Sequence, residues 1–402
     1  DCLGEIMSKK LVQINVTCNG STGRIMTQIQ EEVTKEGWEA YSFYGRGKPA
    51  NDKCIKIGNK FDVLFHVLVT RLFDLHGYAS KRATKKMIKQ IKSIDPDVIQ
   101  LHNLHGYYLN INLLFKYLKT CDKKIVWTLH DCWAFTGHCT HFTYPECNKW
   151  KNEKCSNCPR KRQYPASLFI DNSSREIRKK KQLFTNINKL IIVTPSEWLK
   201  NLVKQSFLKD YTLKVINNGI DLTIFKPTKT IDVKRKYNIP DDKKIILGVA
   251  SIWSSNKGLN EFFELSKQIN EKNFCIVLVG LNKKQIKKLP SNIIGISRIE
   301  NLEELANLYT CANVLFNPSK EESFSLVTVE AMACGTPVIG YNNSAIKEFS
   351  NLKICKTLSL NDNDKFNKII AFCKEHTDID KNVNKFSIKF VMQEYMNLYK
   401  NL

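Results

Sequence analysis

The feature that most constrains this chain is an alternation, run twice, of short apolar segments with longer helical stretches. In the first series the apolar runs are residues 11–16, 98–101, 125–129 and 190–193. Runs of four to six residues are too short for ordinary helices, and helical stretches separate them. They read as strands of a parallel sheet covered by helices on both faces. A second series follows at 244–250, 275–280, 293–296, 314–317 and 337–341. Between them lie Val215 and Ile216, the segment NNGIDLTIFKP (217–227), and a polar, lysine-rich stretch to about 243. The expected architecture is α/β, two Rossmann-like domains at 7–225 and 226–384. A terminal helix at 385–402 should bury Ile388, Val391, Met392, Tyr395 and Tyr399 along one face. Asp1 to Ile6, ahead of Met7, are set aside as lying outside the fold.

Composition narrows the function classes. With 43% hydrophobic residues and 25% charged, 402 residues can build two or three ordinary cores. No apolar run approaches the ~18 residues of a membrane span, and no secretory signal is visible. The expected location is cytoplasmic, peripheral on the inner membrane face. The net charge of +23 fits nucleic acid, an anionic membrane surface or an anionic small substrate. Its basic residues gather in the first half. Lys81, Arg82, Lys85, Lys86, Lys89 and Lys92 lie along one predicted helix. Arg160, Lys161 and Arg162 precede another, which carries Arg178, Lys179, Lys180 and Lys181. Such runs are solvated helix faces or a surface for anionic headgroups.

Of the 14 cysteines, four cluster: Cys139, Cys147, Cys155 and Cys158, spaced C-x7-C-x7-C-x2-C within an insertion at about 132–165. Four thiolates suit tetrahedral zinc, and CSNCP resembles one knuckle of a zinc ribbon. The expectation is structural zinc ordering a loop that lacks its own core. Free cysteines, or more distantly an iron–sulfur cluster, are the other readings. No metal is expected in catalysis, since four thiolates leave no open position.

Chemistry-bearing residues collect just after the apolar runs, where open α/β sheets bind ligands. GSTGR follows the first run. Gly20 and Gly23 permit close backbone approach, Ser21 and Thr22 cap a helix beginning near 25 or bind an anion, and Arg24 adds a positive charge. LHNLHG places His102, Asn103 and His105 after the second run, and TLHDCW places His130 and Asp131 after the third. In the second series, GVASIWSSNKG ends at Lys257 and Gly258. SKEESFSLVTVEAMACGTPVIGY then carries Glu322 and Glu330 across a loop and the first turns of a helix, before a Gly-Thr-Pro turn into a strand. A helix N-terminus there favours a diphosphate, and the carboxylates can accept hydrogen bonds from sugar hydroxyls.

That last run resembles the E-x7-E signature of retaining family-4 glycosyltransferases with the GT-B fold. With NNGID and the following F and P, the resemblance covers nearly the whole chain from Leu11. The region from TLHDCW to CSNCP resembles members found in bacterial capsule, O-antigen or colanic-acid clusters. The family resemblance implies two Rossmann-like domains with sheets facing an interdomain cleft, a hinge near Phe225, a nucleotide-diphosphate sugar as donor, and a glycan or lipid-linked acceptor. By resemblance His130 contacts the transferred sugar, Glu322 its hydroxyls and Glu330 the ribose. Lys257, with amides near Ser325 and Leu326, would hold the diphosphate. Gly20, Ser21, Thr22, Asn103, His105 and Asp131 would face the acceptor, with Gly23 and Arg24 beside the donor phosphates. The family's arginine before K-G is replaced here by Ser251 or Trp253, so Arg298 or Arg24 is expected to supply the second cation. E-G-F-G-L of the family reads Glu322-Ser323-Phe324-Ser325-Leu326. A zinc-containing nucleic-acid-binding protein would explain the charge but not the two carboxylates, and nucleic acid is not the expected partner. A nucleotide-sugar epimerase on the same fold is the other alternative.

Overall fold

The structure, a computed structural model, describes residues 8–143, 146–229, 231–375 and 380–402. It forms two compact units. One runs to Asn217 and includes Met392–Leu402, and the other is Asn218–Val391.

The first unit contains strands β1 (Lys10–Thr17), β2 (Glu39–Arg46), β3 (Cys54–Lys56), β4 (Val98–Leu101), β5 (Lys124–Thr128), β6 (Leu190–Thr194) and β7 (Thr212–Val215). They form one parallel sheet in the order β3-β2-β1-β4-β5-β6-β7. Its helices are α1 (Gly20–Lys35), α2 (Lys60–Phe73), α3 (Lys81–Ile94), α4 (Ile111–Thr120), α5 (Ser173–Phe184) and α6 (Glu197–Val203). The central strands are buried on both faces, as their apolar sequences require. Their polar exceptions are bonded internally. Gln13, fully buried, donates from Nε2 to the Met26 carbonyl at 2.8 Å. Gln100, also fully buried, donates to Thr128 Oγ1 at 2.7 Å.

The second unit holds α7 (Ile231–Lys236), α8 (Leu259–Ser266), α9 (Lys283–Ile286), α10 (Leu302–Cys311), α11 (Leu326–Ala333) and α12 (Lys365–Phe372). Its strands are β8 (Lys244–Val249), β9 (Phe274–Val279), β10 (Ile293–Ile296), β11 (Val314–Asn317), β12 (Val338–Tyr341) and β13 (Cys355–Leu358). They pair in parallel in the order β10-β9-β8-β11-β12-β13. Phe225 is buried in this unit's core. The last helix, α13, spans Ile388–Lys400. From Met392 onward it belongs to the first unit, where Tyr399 Oη donates to Gln100 Oε1 at 3.1 Å and Lys400 pairs with Glu36 at 2.8 Å.

Both sheets are doubly wound. The chain runs outward from β1 through β2 to β3, then returns to β4 on the other side of β1, and β8 to β11 repeat the pattern. Ligands bind beyond the carboxyl ends of strands at such a reversal. The loops after β1 and β4, and after β8 and β11, are therefore the places to look. Among the described residues no helix is long and apolar enough to cross a membrane.

Candidate active-site residues

In the first unit three adjacent strands, β1, β4 and β5, deliver the predicted residues to one sheet edge. Helix α1 begins at Gly20, five residues before the expected start, and Gly20 has φ +76°. Neither Ser21 nor Thr22 caps it, a correction to the expectation. Asn19 holds the N-cap position, and no side chain closes that end. Ser21 is exposed, and Thr22 Oγ1 accepts only a long bond, 3.4 Å, from Asn15. Gly23 is required by packing: a Cβ there would lie 2.4 Å from the Cys18 carbonyl carbon. Arg24 is exposed on α1.

His102 and His130 stack with ring centroids 5.4 Å apart and planes 14° off parallel. Gln13 sets their protons. Its Nε2 is committed to Met26, so its Oε1 accepts from His102 Nε2–H at 3.2 Å. His102 Nδ1 is then an acceptor and takes the His130 Nε2–H at 3.1 Å. Burial keeps both rings neutral, pulling His130 down to about 4 and His102 well below the ordinary histidine value. His130 is thus held with Nδ1 unprotonated. Next to it, Asp131 Oδ2 accepts from His105 Nε2–H at 2.7 Å, and its Oδ1 accepts the Trp133 N–H at 2.9 Å. Burial opposes the Asp131 charge, but His105 and these bonds hold its carboxyl at about 2. On its other side, His105 Nδ1 lies 2.9 Å from Tyr164 Oη, within hydrogen-bond reach. Tyr164 lies 59 residues away in sequence, and nothing in the local pattern signals it. Asn103 joins through its backbone, its N–H donating to Asn15 Oδ1 at 3.3 Å and its carbonyl accepting from Tyr108 Oη at 2.7 Å.

In the second unit the loops after β8 and β11 are laced together. Lys320 N–H donates to the Asn256 carbonyl at 2.9 Å, and Gly258, at φ +72°, passes so close to Pro318 that a Cβ would lie 2.5 Å from its carbonyl oxygen. This approach brings Lys257 Nζ to 2.6 Å from Glu322 Oε1, an ion pair 65 residues apart in sequence. Asn317, at the end of β11, bonds Ser325 Oγ at 2.9 Å and Thr328 Oγ1 at 3.2 Å, and its Oδ1 accepts the Ser319 N–H at 3.2 Å. Ser325 is the N-cap of α11, with φ +80°, where the family glycine would sit unstrained. No side chain caps α11, so the N–H groups from Leu326 onward are available to an anion. Glu330 is buried and accepts from Tyr309 Oη at 3.0 Å. Asn317 and Tyr309 are additions that sequence reading missed.

The residues considered for the diphosphate clamp lie as follows in the fold. Trp253 is buried, donating Nε1–H to the Val279 carbonyl at 2.8 Å, whereas Ser251 is exposed. Arg298 follows β10, the edge strand, which β9 separates from β8, and it pairs with Glu300 at 3.0 Å on the surface.

The four cysteines of the insertion do meet. Cys139, Cys147, Cys155 and Cys158 line one cavity of about 20 Å³ with His138, Phe142 and Trp150. A hydrogen bond from Cys139, aided by His138, lowers the Cys158 thiol to about 7, while burial raises Cys155 to about 11. As the side chains stand, no three metal-ligating groups among the described residues are arranged to hold an ion. Lys180, counted above in a basic run, is buried instead, its Nζ donating to the Trp133 and Thr136 carbonyls at 2.8 and 3.0 Å. Arg160 is buried as well.

Comparison with known proteins agrees with this layout. The family model described as Glycosyltransferase Family 4 matches residues 22–224, just over half the chain, and the model described as Glycosyl transferases group 1 matches 230–386. The chain belongs to glycosyltransferase family 4. This family-4 glycosyltransferase is 22% identical to WcaC of Escherichia coli K12, a protein named for colanic acid biosynthesis and glycosyl transfer, over 98% of this chain and 100% of that one. Among solved structures, a sucrose-phosphate synthase from Thermosynechococcus elongatus superposes with TM-score 0.71 at 17% identity, covering 98% of both chains. The Anabaena protein HepE, crystallised with UDP-glucose, gives 0.65 at 14% identity, covering 98% of this chain and 100% of its own. The fold is therefore GT-B, two Rossmann-like domains each built on a parallel sheet.

Proposed function

We propose that this enzyme moves a sugar from a nucleotide-diphosphate donor, with retention at the anomeric carbon, to a glycan or lipid-linked acceptor in cell-surface polysaccharide synthesis. The observation that carries the reading is the Lys257–Glu322 pair, 2.6 Å apart at a topological reversal, beside the uncapped start of α11. A departing diphosphate develops negative charge. Lys257 and the amides after Ser325 are fixed positive poles for it, an electrostatic contribution worth roughly 3 kcal/mol per donor in comparable sites. Glu322 accepts from sugar hydroxyls, Glu330 from the ribose, and His130 offers a neutral ring with an open Nδ1. With the leaving phosphate taking the acceptor's proton, no protein nucleophile is needed. The similarity to WcaC supports polysaccharide synthesis, and the similarity to HepE supports a uridine donor.

The test is a melting-temperature panel with UDP, GDP and ADP and their sugar conjugates on wild type, Glu330→Gln and Lys257→Ala. Ligands that bind the folded state alone raise the midpoint. A selective rise with one nucleotide, lost in both variants, followed by an NMR product of unchanged anomeric configuration, is the expected result. An epimerised sugar product formed with no acceptor present would favour an epimerase, and no shift with any nucleotide would remove the donor assignment.

We also propose that the four-cysteine cavity takes structural zinc, the cysteine side chains rotating to meet it. Elemental analysis of protein purified without chelator should give about one zinc per chain, the content expected of a four-thiolate site. A chain without zinc that melts at the same temperature would end that proposal.

A further inference from the structure

Helix α2 is built inside out. In KFDVLFHVLVTRLF the buried side chains are His66 and Thr70, both polar. His66 Nδ1 meets Ser80 Oγ at 2.9 Å, its Nε2 accepts from Gly77 N–H at 3.0 Å, and Thr70 Oγ1 donates to the His66 carbonyl at 2.9 Å. The apolar side chains face outward, Phe61 at 80% exposed, Leu64 at 66%, Phe65 at 59% and Leu68 at 52%. Positions 61, 64, 65 and 68 share one helix face. The segment 168–170 lengthens the stripe. Leu168 N–H donates to the Arg71 carbonyl at 2.8 Å, and Leu168, Phe169 and Ile170 are all exposed beside Phe73. Of the eleven large hydrophobic side chains exposed among the described residues, five lie on α2 and three on the segment bonded to its end. Scattered exposure needs no account, but a gathered patch of this kind marks a surface that meets something apolar.

Charge tells what that is. Phe65 and Val69 form part of the wall of an open groove of about 670 Å³ that also holds Lys81, Arg82, Arg175 and Lys179. Its one acidic side chain, Asp62, is committed to the Asn59 N–H at 2.9 Å in a capping box. Lys85, Lys86 and Lys89 continue the positive charge along α3. An apolar stripe rimmed by lysine and arginine complements a bilayer carrying anionic headgroups. A second copy of this chain, positive at the same rim, is repelled.

We propose that this face docks on an anionic lipid bilayer. Helix α2 lies in the interface plane, its phenylalanines and leucines among the upper acyl chains and the basic rim on headgroup phosphates. The proposal does not rest on the transfer reaction, since docking needs no donor.

Flotation with vesicles of phosphatidylcholine, with and without phosphatidylglycerol, tests it. Wild type should float with the anionic vesicles. Phe61→Ser/Phe65→Ser, at exposed positions, should weaken binding by about tenfold or more at an unchanged melting temperature. Arg82→Gln/Lys179→Gln should weaken it several-fold and reduce its salt dependence. Lys287→Gln/Lys288→Gln, which removes the same charge from an exposed site in the second unit, should leave binding intact. Failure of the wild type to float would overturn the proposal, as would equal losses in the two charge variants. So would a lipid-free dimer by light scattering that Phe61→Ser/Phe65→Ser dissolves, because the stripe would then be a protein interface.

Discussion

Ser325 shows how one residue can carry both strain and compensation. At φ +80° and ψ +79° its Cβ is crowded by the backbone, yet its hydroxyl is bonded to Asn317 and lies 2.9 Å from Thr328 Oγ1. Alanine keeps the strain and loses the bonds, whereas glycine loses both. Ser325→Gly should therefore be more stable than Ser325→Ala by about 1 kcal/mol in urea unfolding. Equal stability would mean that the serine is not held in this conformation. Gln13 acts at the same scale in the first unit. Gln13→Glu puts a carboxylate on His102 Nε2, which favours the imidazolium there. His102 Nδ1 then donates instead of accepting, and His130 must present an unprotonated Nε2 to it. Nitrogen-15 imidazole spectra should show His130 protonated at Nε2 in wild type and at Nδ1 in the variant. An unchanged His130 would break the proposed relay.

At the scale of elements, the loops after β8 and β11 depend on Gly258. A methyl there meets the Pro318 carbonyl oxygen at 2.5 Å in a backbone conformation that L residues avoid. Gly258→Ala should cost roughly 2 kcal/mol and weaken nucleotide binding by separating Lys257 from Glu322. Retained nucleotide affinity would show that the pair forms without the close approach. The strands flanking the reversal points were legible in the sequence because burial on both faces leaves near-continuous apolar runs. β2 was not legible. EAYSFYGR reads as polar, and its buried Ser42 is satisfied by donating to Gln30 Oε1 on α1 at 2.9 Å, a partner invisible locally. β13, four residues at a sheet edge with exposed Lys356, was also too short and mixed to register. The carboxylates and histidines could be found because each follows a legible strand. Tyr164, Tyr309 and Asn317 could not, since their value lies in a hydrogen bond made by the fold. Arg298 shows the converse limit: its position after a strand was visible, but the order of strands in the sheet was not.

For the whole molecule, the buried histidines of the first unit set a response to acid. Burial holds His66 and His130 at about 4, and pushes His76 and His102 well below the usual value. Once unfolded, all four titrate near 6.5, so between about pH 4 and 6.5 the unfolded chain binds protons that the folded unit refuses. Their contribution to stability is present above that window and is lost as pH falls through it. Glu176 works the other way. Burial raises it to about 7, so the folded unit keeps a proton that the unfolded chain releases, and that contribution is lost as pH rises toward 7. Four histidines against one glutamate leave a net uptake of about three protons on unfolding near pH 5. The urea midpoint of this unit should fall steeply from pH 7 to pH 5, and Glu176→Gln should steepen the fall. Tryptophan fluorescence reports it, because Trp38, Trp127, Trp133, Trp150 and Trp198 all lie in the first unit. A flat midpoint over that range would refute the assignment. The same groups link stability to activity, since His102 and His130 belong both to this set and to the strand-end loops proposed for catalysis. Acid loss of transfer should then coincide with unfolding. An activity limb that falls above pH 6.5 while the midpoint holds would mean that His130 titrates in the folded enzyme, and that its ring is wetter than its burial implies.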